Sequence, residues 1–118
     1  ARLAINAACV RAGVPLVSGA AIRLEGQVLV WRPGEEGACY RCLYRDADAA
    51  PETCAQTGVL APVVGIVGSI QALEAIKVLT NLGETLAGRL LLLDAKRMEW
   101  RTLKVRRDPA CPVCGGAP

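Results

Sequence analysis

Pro62-Val-Val-Gly-Ile-Val-Gly-Ser-Ile-Gln-Ala-Leu-Glu-Ala-Ile-Lys-Val-Leu-Thr-Asn-Leu82 is the stretch on which the fold turns. Val63, Ile66, Val67, Ile70, Leu73 and Ile76 or Lys77 recur at helical spacing, which predicts one long helix over 62–82. Pro62 suits a first turn, where a missing amide hydrogen costs nothing, and Gly83 is a natural stop. Gly65 and Gly68 fall inside this pattern with no Rossmann strand before them, so close helix packing is expected there rather than a phosphate loop. Glu74 and Lys77 are read as a pair on the helix surface.

Working toward the N-terminus, Arg23–Arg32 reads as a strand with Gly26 permitting a bulge or kink. Val28, Val30 and Arg32 alternate with Leu29 and Trp31, so both of its faces can be covered. Val14–Ile22 reads as an earlier strand of small apolar residues, with Pro15 near its start, where a ladder donor is least missed. Arg2–Ala12 reads as a helix whose apolar face holds Leu3, Ile5, Ala8, Cys9 and Ala12, closed by Gly13. On the other side, Leu90–Leu93 is a continuous apolar run and Asp94–Arg97 a turn. Met98, Trp100, Thr102 and Lys104 then alternate with Glu99, Arg101, Leu103 and Val105, the pattern of a strand with a half-exposed face. The order is α-β-β-loop-α-β-β, an α/β chain with antiparallel strands.

The chain has 118 residues, 53% of them hydrophobic, which suffices for a core in one domain or one part of a larger domain. Phe is absent and aromatics are 3%, so that core is aliphatic. The formal net charge is +3, spread along the chain, and the densest basic stretch is Lys104, Arg106 and Arg107. This lacks the clustered stripe of a nucleic-acid binder. The longest weakly polar run, Gly58–Ile70, is too short to span a bilayer, and no signal peptide is read at the start. A soluble, cytoplasmic protein is expected. His is absent, which removes every imidazole mechanism from these residues and limits zinc ligands to Cys and carboxylates.

The polar stretch 33–62 carries Cys39-Tyr40-Arg41-Cys42, and Cys111-Pro112-Val113-Cys114 lies near the end. Each CxxC can place two thiolates on one side of a tight knuckle, and two knuckles complete a tetrahedral sulfur cage for structural Zn²⁺. Gly37 precedes the first knuckle, and Gly115-Gly116 follows the second and is read as a solvated tail. Residues 43–110 separate the knuckles, so the long helix and the hairpin lie between them. Four thiolates leave no open position, so this metal is expected to be structural and to contribute on the order of 10 kcal/mol of folding free energy. Two disulfides, four inert thiols and a redox dithiol are the competing readings. Disulfides suit an oxidising compartment, and a redox CxxC suits a helix N-terminus in a thioredoxin-like unit. Cys9 is read as a small buried hydrophobe. Cys54, in a polar loop shortly before the long helix, is a candidate nucleophile with no His to activate it. Asp46 and Asp48 are read as loop solvation.

Four segments resemble the MoeB/ThiF/HesA family. They are Val14-Pro-Leu-Val-Ser-Gly-Ala-Ala-Ile-Arg-Leu-Glu-Gly-Gln27, Cys39-Tyr-Arg-Cys-Leu43, Gly58-Val-Leu-Ala-Pro through Lys77, and Asp108-Pro-Ala-Cys-Pro-Val-Cys-Gly115. The resemblance spans essentially the whole chain. It implies the C-terminal part of a Rossmann-like activating-enzyme fold, a mixed sheet with antiparallel strands, one long helix and a four-cysteine zinc site, over residues 1–118. It also implies an adenylyltransferase that uses ATP and Mg²⁺ to activate the C-terminal glycine of a ubiquitin-like sulfur-carrier protein of the MoaD or ThiS type. Such an enzyme would serve molybdopterin or thiamine biosynthesis as a homodimer. The Gly-rich ATP-binding half has no counterpart here. Arg2 and Asn6 resemble the tail of that half's Asp-Asn-x-x-x-Arg segment, and Arg2 is the nearest candidate for nucleotide contact. Cys54 matches the crossover-loop cysteine that takes part in thioester or acyl-disulfide chemistry in some relatives. A non-catalytic, zinc-stabilised module that binds a carrier is the alternative function.

Overall fold

A computed structural model describes residues 2–43 and 60–115. The elements are α1 (Arg2–Ala12), β1 (Leu16–Ile22), β2 (Glu25–Trp31), α2 (Tyr40–Leu43), α3 (Ala61–Thr80), β3 (Arg89–Asp94) and β4 (Glu99–Lys104). The expected order holds, with one short helix added at the first knuckle. The four strands form one sheet in the order β1-β2-β3-β4. Every described strand pair is antiparallel, and the only parallel element among the described residues is an isolated bridge between Val30 and Ala87. The mixed sheet implied by the resemblance is therefore represented here by its antiparallel strands.

The registers show how β2 divides the interior. Val28 and Val30 point to the α3 side, where they form a core with Val67 and Leu86, joined by Val17, Ala21, Ile70, Val78 and Leu91. Trp31, one residue out of phase, points to the other face and joins a second core around the cysteines. The expectation that both faces of β2 are covered is met.

Two glycines set how closely α3 approaches the sheet. A Cβ at Gly26 would stand 2.7 Å from Val67 Cγ2, and one at Gly19 would stand 2.8 Å from Val67 Cγ1 and overlap Gln71. Gly26 thus serves helix approach, and β2 runs through it in unbroken register instead of bulging. Gly65 and Gly68 differ from expectation too, because a side chain at either would meet nothing. They lie on the outer side of α3, and the close contact comes from the sheet's glycines.

The buried stripe of α3 starts as predicted at Val63 and Val67 and then continues through Glu74, leaving Leu73 and Ile76 exposed. The last turns are held by a polar clamp. Glu74 is 2% exposed, its Oε1 accepts the Leu86 N–H at 2.5 Å, and its Oε2 lies 2.5 Å from Lys77 Nζ. Lys77 Nζ also donates to the Glu84 carbonyl at 2.6 Å. The predicted surface pair is real, but its acid is buried and ties the loop after α3 to the helix. Asn81, with φ 55°, ends the helix two residues before Gly83. By length and composition α3 is the one described helix that could cross a membrane; in this structure it lies along β1 and β2.

β3 and β4 form the predicted hairpin, closed by a turn in which Asp94 Oδ1 accepts the Lys96 N–H at 3.1 Å. Every residue of β4 is exposed, whereas a half-covered strand was expected. Among the described residues β4 is the last strand of the sheet, and α3 packs chiefly over β1 and β2.

Candidate metal centre

Backbone pairing assembles the site. After β2, Gly37 bridges Arg106 antiparallel. The Arg107 N–H donates to the Glu36 carbonyl at 2.9 Å, and the Ala38 N–H donates to Val105 at 3.4 Å. This short ladder lays the segment that enters the first knuckle beside the segment that enters the second. Cys42 N–H donates to Cys39 C=O at 3.1 Å, and Gly115 N–H donates to Cys111 C=O at 2.9 Å, so each CxxC closes as a tight turn. A Cβ at Gly115 would stand 2.5 Å from the Cys111 carbonyl oxygen and 2.6 Å from that of Pro109. Gly115 is therefore part of the second knuckle and not a solvated tail; Gly116 lies outside the described residues.

The four knuckle sulfurs converge. Sγ–Sγ distances are 3.8 Å for Cys39–Cys42, 3.8 Å for Cys39–Cys111 and 3.4 Å for Cys42–Cys114, and all four lie within 4.8 Å of one another. Cys39, Cys114, Cys111 and Cys42 are 0%, 1%, 6% and 9% exposed. Trp31 and Ala38 complete the buried shell, with Val10, Leu16, Leu43, Val105 and Val113 packed against it. The cluster could hold a metal ion and is at the same time the centre of a hydrophobic core.

The electrostatics suit a cation at the centre. Burial would raise the Cys111 thiol, but the Cys114 and Val113 amides and then the Cys42 and Cys39 side chains outweigh it and pull it down to about 7. Burial pushes Cys42 up against the opposing backbone hydrogen bonds at Asp108 and Cys39. Burial, reinforced by hydrogen bonds and charge at Cys42 and Cys39, pushes Cys114 up. Several thiolates cannot share a dry site without positive charge among them.

Asn6 was not singled out as a site residue by sequence reasoning. It was grouped with Arg2, yet it turns inward and is 0% exposed. Its Nδ2 donates to Cys39 Sγ at 3.5 Å, and its Oδ1 accepts the Tyr40 N–H at 3.1 Å. The available signal was a lone amide side chain among apolar positions of α1. That helix departs from its predicted face: Ile5, Ala8 and Ala12 are exposed, Cys9 is half-buried, and Asn6 is its one buried residue. α1 packs on the knuckle helix α2, whose backbone offers polar groups, so the residue facing it is an amide. Arg2 is exposed on α1, with Nη2 donating to the Gly19 carbonyl at 3.4 Å. Cys54, Asp46 and Asp48 lie outside the described residues.

An α/β chain that clasps a four-cysteine cage between the middle and the end of its sequence is the architecture the resemblance implied. The ThiF family model matches residues 1–113, and the chain belongs to this family. It is 48% identical over 111 residues to the molybdopterin-synthase adenylyltransferase of Salmonella typhimurium, covering 94% of this chain and 45% of that protein. It is also 48% identical over 116 residues to the sulfur carrier protein ThiS adenylyltransferase of Escherichia coli, covering 98% of this chain and 46% of that one. The chain thus spans about half the length of the curated relatives it matches. Among solved structures, E. coli MccB superposes with a TM-score of 0.77 at 21% identity, over 97% of this chain and 36% of MccB. That likeness shows the fold.

Proposed function

We propose that these residues form the C-terminal part of an ATP-dependent adenylyltransferase that activates the C-terminal glycine of a ubiquitin-like sulfur carrier of the MoaD or ThiS type. The observation that carries this reading is the 48% identity, over 94–98% of this chain, with two adenylyltransferases. ATP and Mg²⁺ are held chiefly by residues outside these 118, with Arg2 as the contribution from this chain. The sheet face turned away from α3 supports carrier docking. It bears an open groove of about 500 Å³ lined by Ala20, Ile22, Gln27, Leu92, Asp94 and Arg101. Cys54 is the cysteine available for a covalent carrier adduct.

The metal is Zn²⁺, on Cys39, Cys42, Cys111 and Cys114. A tetrahedral thiolate site with bonds of ~2.3 Å has sulfur edges of ~3.8 Å, and the three Sγ–Sγ distances above are 3.4–3.8 Å. With four thiolates the coordination sphere is closed, and the ion supplies a cross-link and no reacting position. The protein acts as a homodimer in the cytoplasm.

ATP–pyrophosphate exchange tests the function. The 118 residues alone should support none, whereas a polypeptide that adds the Gly-rich half should support exchange dependent on the carrier. Exchange by the 118 residues alone would overturn the division of labour. Carrier retention without ATP, and no exchange by the longer polypeptide, would favour the non-catalytic carrier-binding module.

A further inference from the structure

We propose that Asn6 is a positioning residue of the metal centre, which donates a hydrogen bond to the metal-bound Cys39 thiolate and thereby ties the seat of α1 to occupancy of the cage. This rests on the four-cysteine metal reading.

Chemistry fixes the orientation of the amide. A metal-bound thiolate only accepts, so the NH₂ end must face Cys39 Sγ; the Tyr40 N–H only donates, so the carbonyl end must face it. Both contacts are present, at 3.5 and 3.1 Å. One fully buried side chain thus grips the first knuckle at a ligand and at the backbone of the next residue. A buried amide is costly unless both ends are matched. Among the described residues no buried side-chain nitrogen or oxygen lacks a partner. Asn6 is the only buried residue of α1. The ligand is anchored from the far side as well, because Cys39 Sγ contacts both Cys42 and Cys111. The amide partly offsets thiolate charge and fixes the sulfur's direction, as groups around ligating atoms do in other metal sites. Arg2 stands one turn from Asn6 on the same helix, so whatever fixes Asn6 also fixes where Arg2 is presented.

The test compares the wild type with Asn6→Ala and Asn6→Asp in the full polypeptide. Zn²⁺ affinity is measured by chelator competition and Co²⁺ spectra are recorded. Asn6→Ala should bind Zn²⁺ ~10–100-fold more weakly. Asn6→Asp keeps the shape and the Tyr40 acceptor but sets a carboxylate against thiolate, so it should bind more weakly still. A purely space-filling role predicts the reverse order. The thiolate-to-cobalt charge-transfer band should shift in both variants while the tetrahedral ligand-field bands stay. An Asn6→Asp variant with wild-type affinity and an unshifted charge-transfer band would overturn the proposal. Should the variants fail to fold, hydrogen exchange on the wild type decides. Stripping the metal should remove protection from the Tyr40 amide and from α1, and unchanged protection there would overturn it. A wild-type chain that binds no Zn²⁺ would instead defeat the underlying metal reading.

Discussion

Replacing Glu74 with alanine should destabilise the fold by about 3 kcal/mol, and replacing it with glutamine by only about 1 kcal/mol. In the alanine variant the Leu86 N–H loses its acceptor inside the core, where Leu86 packs with Val28, Val30 and Val67. An orphaned buried donor costs ~1–3 kcal/mol. Lys77 loses its carboxylate partner at the same time but keeps the Glu84 carbonyl, and its side chain, 21% exposed, recovers part of that loss by turning to water. Glutamine keeps an oxygen for Leu86 but turns its NH₂ toward Lys77, which loses its acceptor there and, being 21% exposed, can swing to water, a loss of ~1 kcal/mol. For a chain of this length each kcal/mol moves the melting temperature by ~3–5 °C. Glu74→Ala should therefore melt ~10 °C below the wild type and Glu74→Gln ~4 °C below it. Thermal unfolding followed by circular dichroism on the metal-loaded protein reads this directly. Equal loss in the two variants would refute the reasoning, because it would mean that the bond to Leu86 contributes nothing and only the charge matters.

Gly19→Ala should cost ~1–3 kcal/mol by overpacking against Val67 and Gln71, and Val67→Ala should partly restore it; a double-mutant cycle with no coupling would contradict the close approach of α3. Cys42→Ser should abolish stoichiometric metal binding, whereas Cys9→Ser, outside the cage, should keep it; metal analysis of the two purified variants checks both. If Cys54 forms a covalent carrier adduct, Cys54→Ser in the polypeptide that includes the ATP-binding half should lose that adduct on a non-reducing gel and keep ATP–pyrophosphate exchange.

The elements that sequence alone revealed were those with a strong local signal. The spacing of the two CxxC turns marks the four cysteines whose sulfurs come together, and the hairpin is set by a continuous apolar run followed by alternation around a turn. Where the structure departs, a distant neighbour had decided the outcome. Gly26 reads as a bulge until Val67 is placed over it. Leu73 and Ile76 extend a helical stripe in sequence, yet the last turns of α3 are aimed by the buried Glu74 and the loop that it holds. Apolar spacing in α1 points to Ile5 and Ala8, while the surface that α1 meets is a knuckle backbone needing an amide. β4 has the alternation of a half-covered strand, but it is the last described strand of the sheet, α3 packs chiefly over β1 and β2, and every β4 residue is exposed. Periodicity reports which residues favour burial; it does not report which neighbour is present to bury them.

The cage joins the middle of the chain to its end, and its metal content tests the account most directly. Metal analysis of the purified, reduced protein should find about one Zn²⁺ per chain, as four thiolates in one tetrahedral site require, and chelation should unfold the region around Trp31 and the knuckles. A metal-free protein that is fully folded, with all four thiols free, would contradict it.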